Sequence, residues 1–312
     1  MSGMEEIKMK VVYGHTDSIY VQIPDVETAK GICNVLNNHV RELFPNAMNL
    51  DNHPVNLEFE KFYKSLGVGC TKNRNAGFIS WKDGEWLAEP EFVVTGFSMK
   101  KITETAMAKE VQSTLLKMWA EEKTESEIVE YLMKKYDDAL YGKIPFTSVV
   151  NRSRIRGDRL KVKLSCGHTR TMFDLIANHG FCGLVHERNG HERVCKGDDA
   201  VTLEKKKPTI GSGITGVLYY NTRFSNPIKD SFVYIKVKPR GDMMFFHPLK
   251  KQEVMTTYVS AHEIQELEDL DIDWMHYANS VVKKATPVFK AMGWDINQIR
   301  KDKRQKSLDD WW

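Results

Sequence analysis

The stretch KVVYGHTDSIYV, residues 10–21, reads as a strand, a turn and a second strand. Val11, Val12, Ile19 and Val21 supply β-branched flanks, and Gly14, His15, Thr16, Asp17 and Ser18 supply a small polar tip. A hairpin this apolar that presents one carboxylate and one imidazole at its end calls for an explanation.

Outward from the hairpin, residues 26–44 carry Ile32, Val35, Leu36, Val40 and Leu43 at helical spacing. Strand-like segments follow: NLEFEKFYKSLGV with Leu57, Phe59 and Phe62, then AGFISW and EFVVTGF. Residues 103–140 read as two helices, with Ala106, Val111, Leu115 and Trp119 on the first and Ile128, Tyr131, Leu132 and Tyr136 on the second. The order ββαβββαα predicts an α+β unit that passes into a helical one. Residues 143–230 resist a periodic reading and have the character of an inserted or divergent module, placed at about 150–225. Periodicity returns with the strand SFVYIKVK (231–238) and a helix over 273–292 bearing Trp274, Tyr277, Val281 and Val282, which Pro287 is expected to kink or end.

The chain has 312 residues, room for about two domains at roughly 100–200 residues each. Apolar residues make up 41% and charged residues 28%, an ordinary globular balance, and no run of about 18 apolar residues is present to span a bilayer. The opening MSGMEEIKMK lacks the apolar core of a signal peptide, and five scattered cysteines do not form a disulfide framework, so a soluble protein of the reducing cytoplasm is expected. Net charge is only +3, but residues 151–170 and 283–306 are strongly basic while 262–273 is acidic, a distribution that suits a one-sided positive surface.

YGHTDS resembles the third palm motif of family B DNA polymerases, Y-G-D-T-D-S, and similar elements follow in order. NLEFEKFYKSL (56–66) is similar to the family's L-E-F-E-K-x-Y strand, TKNRNAGF (71–78) to its K-K-R-Y-A-G element, and TGFSMKKITETAMAKEVQ (95–112) to the entry to its thumb. DIDWMHYANSVVKKATPVFKAMGWD (271–295) resembles the end of the thumb. The resemblance implies the C-terminal part of a palm over 1–98, a hairpin and strands packed on helices. It also implies a largely helical thumb over 99–300 with the module as an insertion, and a tail over 301–312.

Nucleotidyl transfer uses two divalent cations, and Mg²⁺ requires hard oxygen ligands. By the resemblance, His15, Thr16 and Asp17 form the catalytic turn, Asp17 ligates metal, and His15 stands where the family has its less involved first acid. Tyr13, Lys61, Lys72, Arg74, Lys100 and Lys101 would contact primer–template DNA, with Glu58 a further carboxylate near the metals. Asn73 and Asn75 stand where the family tends to have Lys and Tyr, and Lys100 and Lys101 replace arginines, which keeps charge and loses the bidentate fork.

The family's other metal-bridging motif, D-x-x-S-L-Y-P-S, and its fingers helix, K-x-x-x-N-S-x-Y-G, do not occur in these residues. With a start-like Met and a functional tail, the expectation is the small subunit of a split DNA polymerase. It would add dNTPs only when a large subunit supplies the exonuclease, the first palm motif and the fingers, with Mg²⁺ at the shared site. The alternative is a catalytically inactive subunit that binds DNA and the clamp.

QKSLDDWW (305–312) matches the sliding-clamp-binding box, in which one helical turn gathers Leu308, Trp311 and Trp312 into an apolar plug beside Gln305. A PCNA-like clamp is the implied partner, in archaeal or archaeal-virus replication by the resemblance. Cys166, His168, Cys182, His186 and Cys195, with His179 and His191 nearby, offer ligands for structural zinc. Their spacing fits no finger pattern and no CxxC pair is present, so the expectation is an insertion without metal, zinc being the alternative.

Overall fold

The computed structural model describes residues 10–14, 18–48, 50, 52–71, 73–97, 103–155, 161–164, 166–178, 180–188, 191–196, 210–247, 250 and 252–300, without the side chains of 186–188 and 191. The chain is an α+β protein of two compact units, one of residues 1–98, 112–133 and 282–312, the other of 99–111 and 134–281.

The first unit opens with strands β1 (Lys10–Gly14) and β2 (Ile19–Gln22), paired antiparallel as the strand–turn–strand reading predicts. Helix α1 (Val26–Leu43) starts where Asp25 accepts the Thr28 N–H at 2.7 Å, an N-cap on one of the orphan donors of the first turn. Its buried stripe is Val26, Ala29 and Ile32, joined by Asn37, whereas Val35 and Leu43, expected in the apolar face, are 60% and 61% exposed. Asn37 explains the shift, because its amide donates to the Leu57 carbonyl at 2.8 Å and accepts the Leu57 N–H at 2.7 Å. That pair imitates a strand neighbour, so the EFE segment stays outside the ladder and the strand expected from residue 56 begins at Lys61.

Strands β3 (Lys61–Val68), β4 (Asn75–Lys82) and β5 (Glu85–Thr95) form an antiparallel meander with β4 central. Asp83 and Gly84, both at positive φ, make the tight turn between β4 and β5 that their dipeptide favours. Pro90 lies in the edge strand β5, where a missing N–H is tolerated. Trp81 is buried and stacks on Phe59 at 4.6 Å, and the Trp119 indole lies so close over Gly67 that a Cβ there would meet it at 2.7 Å.

Helices α2 (Ala106–Ala120), α3 (Glu125–Leu140) and, further on, α6 (Trp274–Met292) bear the longest periodic runs, and the division into units passes through all three. Each is closed by a residue at positive φ, Glu122, Gly142 and Gly293 respectively, with the i to i−5 bonds of a Schellman ending. Pro287 does not end α6, which continues to Met292.

The second unit holds the sheet of β6 (Asn151–Arg154), β11 (Ser231–Lys236) and β14 (Tyr258–Ala261), ordered β14-β11-β6. Between β6 and β11 lie short pieces: hairpin β7 (Lys161–Lys163) with β8 (Thr169–Thr171), helix α4 (Met172–Ala177), hairpin β9 (Val185–Arg188) with β10 (His191–Val194), and helix α5 (Ser212–Arg223). A hairpin of β12 (Met244–His247) and β13 (Gln252–Met255) follows β11. The Gly-rich GSGITG is a packing face: a Cβ on Gly213 would strike Phe232 and Tyr234, and one on Gly216 would strike Ser260. Val162, Leu164, Met172, Leu175, Cys182, Leu218 and Phe245 share one buried cluster beside α5.

Candidate functional site

The hairpin strands pair Tyr13 with Tyr20 and Gly14 with Ile19, with a bulge between Val11 and Tyr13. Its tip residues His15, Thr16 and Asp17 lie outside the described residues, as do Lys72, Lys100, Lys101 and the clamp box Gln305, Leu308, Trp311 and Trp312. What is described is the mounting of that tip. Tyr13 packs on Tyr20 at 5.6 Å and Tyr20 on Tyr63 of β3 at 6.0 Å, an aromatic row from hairpin to sheet. Burial first, and then the neighbouring Tyr20, push the Tyr63 phenol up to about 12, so it stays protonated at neutral pH.

The row ends in a bond between motifs. Tyr13 donates its hydroxyl hydrogen to Asn73 Oδ1 at 2.6 Å and accepts the Asn73 N–H at 2.9 Å. Asn73 has φ +59°, a left-handed conformation that asparagine adopts more readily than most residues. The chain reverses tightly here: Gly69 N–H donates to the Arg74 carbonyl at 2.7 Å, and a Cβ on Gly96 would overlap the Asn73 carbonyl. Sequence reasoning registered Asn73 only as a departure from a basic pattern. Its structural signal was residue type, since asparagine beside a Gly-rich turn marks positive φ.

The fold thus brings Tyr13 together with the Asn73–Arg74 turn. Arg74, half-buried, holds its guanidinium 5.9 Å from the Phe97 ring. Lys61 stands at the other end of the β3–β4 ladder, opposite Lys82 and beside Glu60 at 3.8 Å, whereas Asn75 faces Val68. Seven residues of strand at roughly 3.3 Å each put about 23 Å between those ends. Glu58 is exposed.

A second group lies in the other unit. Cys166 and His168 flank Gly167 on the turn from β7 to β8, Cys182 follows α4, and Cys195 follows β10. One donor atom from each lies within 4.8 Å of all the others. His168 Nδ1 is 3.4 Å from Cys166 Sγ and 3.5 Å from Cys182 Sγ. Cys182 is fully buried and burial pushes its thiol up to about 11. Backbone bonds tie the loops: Gly183 N–H to the Cys195 carbonyl at 3.0 Å, Cys195 N–H to the Leu184 carbonyl at 2.8 Å, and Leu164 N–H to the His168 carbonyl at 2.8 Å. His186, grouped with these residues from sequence, sits on β9 opposite Arg193, and its side chain lies outside those described. All four residues were among the candidate ligands read from sequence, but their irregular spacing, spread over three loops, matched no finger pattern.

Residues 2–153, just under half of the chain, match the family model for DNA polymerase family B. Among curated proteins, the chain is similar to DNA polymerase 037L of Invertebrate iridescent virus 6, with 28% identity over 158 residues, covering 46% of this chain and 12% of that protein. Among solved structures, it is similar to the family B DNA polymerase from the hyperthermophilic archaeon Pyrobaculum calidifontis, with 16% identity and a TM-score of 0.48, covering 96% of this chain and 28% of that one. The chain therefore spans a minor part of each relative's length. Among the described residues no helix is long and apolar enough to cross a membrane.

Proposed function

We propose that the protein is the small subunit of a split family B DNA polymerase, supplying the end of the palm (1–98), the thumb (99–300) and a clamp-binding tail (301–312). The observation that carries the reading is the bond of Tyr13 to Asn73, which joins the YGHTDS hairpin to the TKNRNAGF turn inside a segment that matches the polymerase family. Two stretches that resemble catalytic and DNA-contacting elements are thereby one unit. Asp17, a hard oxygen donor on a hairpin mounted by three tyrosines, suits Mg²⁺. His15 offers no such oxygen, so the remaining carboxylate falls to the large subunit's D-x-x-S-L-Y-P-S segment. When bound, the metal pair activates the primer hydroxyl and neutralises the triphosphate of the dNTP.

Dependence on a partner has its own support. An isolated two-stranded hairpin is marginal in water, and here Val11, Val12 and Ile19 are exposed, as are Val35, Leu43, Phe44, Met48, Leu50 and Val55. Half of the exposed large apolar side chains among the described residues fall in this stretch. A palm core contributed by the large subunit would cover them. Arg74 and Lys61, about 23 Å apart along the strand, would meet phosphates roughly seven nucleotides apart on one strand of duplex at 3.4 Å per step, with Lys72, Lys100 and Lys101 adding charge. The tail would seat Leu308, Trp311 and Trp312 in a pocket of the clamp, with Gln305 making a polar contact.

The test is co-expression with the large subunit and Mg²⁺-dependent primer extension by wild-type and Asp17→Ala small subunits. Loss of synthesis in the variant is the expected result. Synthesis that is unaffected, or absent throughout in a stable complex, favours the rival, a subunit that holds DNA and clamp without chemistry, for which His15 is the motivating residue.

A further inference from the structure

We infer that Cys166, His168, Cys182 and Cys195 bind one zinc ion that holds together the short elements between β7 and β10. This inference is independent of the polymerase reading. In a tetrahedral site with Zn–S of about 2.3 Å and Zn–N of about 2.0 Å, neighbouring donor atoms lie roughly 3.5–3.8 Å apart. His168 Nδ1 already stands 3.4 Å from one sulfur and 3.5 Å from another, and all four donors lie within 4.8 Å of each other, so coordination asks only for small rotations.

The donor set selects the ion. Three thiolates and one imidazole are soft and borderline ligands, suited to zinc and unsuited to Mg²⁺ or Ca²⁺. All four positions of a tetrahedron are filled from the protein, and Cys182 is fully buried, which describes a closed structural site with no place for a reacting water. The backbone is built for it: Gly167 at φ +88° lets Cys166 and His168 converge across one residue, and Gly183 at φ +62° turns the chain directly after Cys182. A Cβ on Gly183 would collide with the Asn178 side chain.

The surroundings give the ion a purpose. Strands of three or four residues and a six-residue helix bury few side chains of their own, and modules this small commonly need a metal or a disulfide. The five cysteines of the chain are thiols. Three converging thiols cannot all pair in disulfides, and the histidine would be left over; one metal uses every member.

The purified full-length chain should contain one zinc per molecule by plasma mass spectrometry, and cobalt exchanged into it should show the intense absorption of a tetrahedral thiolate site. Cys182→Ser and His168→Ala should lose the metal. His168→Cys, which restores a fourth thiolate, should keep it, and so should Cys33→Ser and Cys70→Ser, at positions outside the group. The His168→Cys result separates ligation from misfolding: a variant that folds with unchanged circular dichroism but without metal overturns the assignment. Wild-type protein with no stoichiometric metal, with iron in place of zinc, or with a disulfide between two of Cys166, Cys182 and Cys195 on peptide mapping overturns it equally.

Discussion

The Tyr13 hydroxyl is bonded twice to Asn73, donating to its side chain and accepting from its backbone, across sixty residues of chain. A phenol that serves as donor and acceptor to one residue fixes both the distance and the angle of the hairpin against the turn, which a single contact would not. Tyr13→Phe removes both bonds and leaves the aromatic row in place. A loss of about 1 kcal/mol in urea unfolding is expected, together with faster amide exchange confined to residues 10–22 and 69–75.

Asn37 is the buried counterpart. Its amide satisfies both polar groups of Leu57, so Asn37→Leu strands a backbone N–H and a carbonyl. The expected cost is about 2–3 kcal/mol, visible as a lower urea midpoint at unchanged m-value. Asn37→Asp should cost as much or more, because a carboxylate cannot donate to the Leu57 carbonyl.

Two glycines should respond with opposite signs. At Gly216 of α5, a Cβ would lie 2.5 Å from Ser260 Oγ and 3.0 Å from the Tyr258 carbonyl, so Gly216→Ala should destabilise by about 1–3 kcal/mol. Gly31 of α1 has open space around its Cβ position, and Gly31→Ala should stabilise by about 0.5–1 kcal/mol. Thermal melts of the two variants beside wild type test both.

The caps of α1 and α3 predict an acid limb. Hydrogen bonds from Thr28 hold the Asp25 carboxyl below its ordinary range, and hydrogen bonds from Thr124 do the same for Glu127. A carboxylate whose folded pKa lies below its unfolded one stabilises the protein fully above the unfolded value, near pH 4, and loses that contribution as pH falls through the folded one. The stability gap between wild type and the Asp25→Ala, Glu127→Ala double variant should therefore be constant near neutrality and close as pH falls below about 4, followed by urea titration at each pH.

Arg74→Ala should weaken primer–template binding by the partnered protein without altering sequence preference, and should lower the slope of log affinity against log salt by about one. Anisotropy titrations across salt concentrations read the slope directly. An unchanged slope would remove Arg74 from the phosphate contacts.

Helices with a long apolar period were readable from sequence: α1, α2, α3 and α6 fall where the spacing of Ile32, Leu115, Leu132 and Val281 places them. The start of β3 was not readable, because the partner that keeps Leu57 off the ladder is a side chain twenty residues earlier. Strands β7 to β10 are three or four residues long, too short to display alternation. The turn at Asp83 and Gly84 was not read from sequence, although its dipeptide favours it. The members of the cysteine and histidine group were legible as candidate ligands, but their convergence was not, since tertiary folding alone brings the loops together.

The apolar side chains left uncovered between Val11 and Val55 bear on how the protein is made as well as on what it does. Molecular chaperones and degradation systems recognise such surface as unfinished folding, so copies synthesised in excess of whatever covers it would be held or destroyed. If a large subunit covers that surface, as proposed, the abundance of this chain would follow the supply of that partner, and the two would need balanced synthesis.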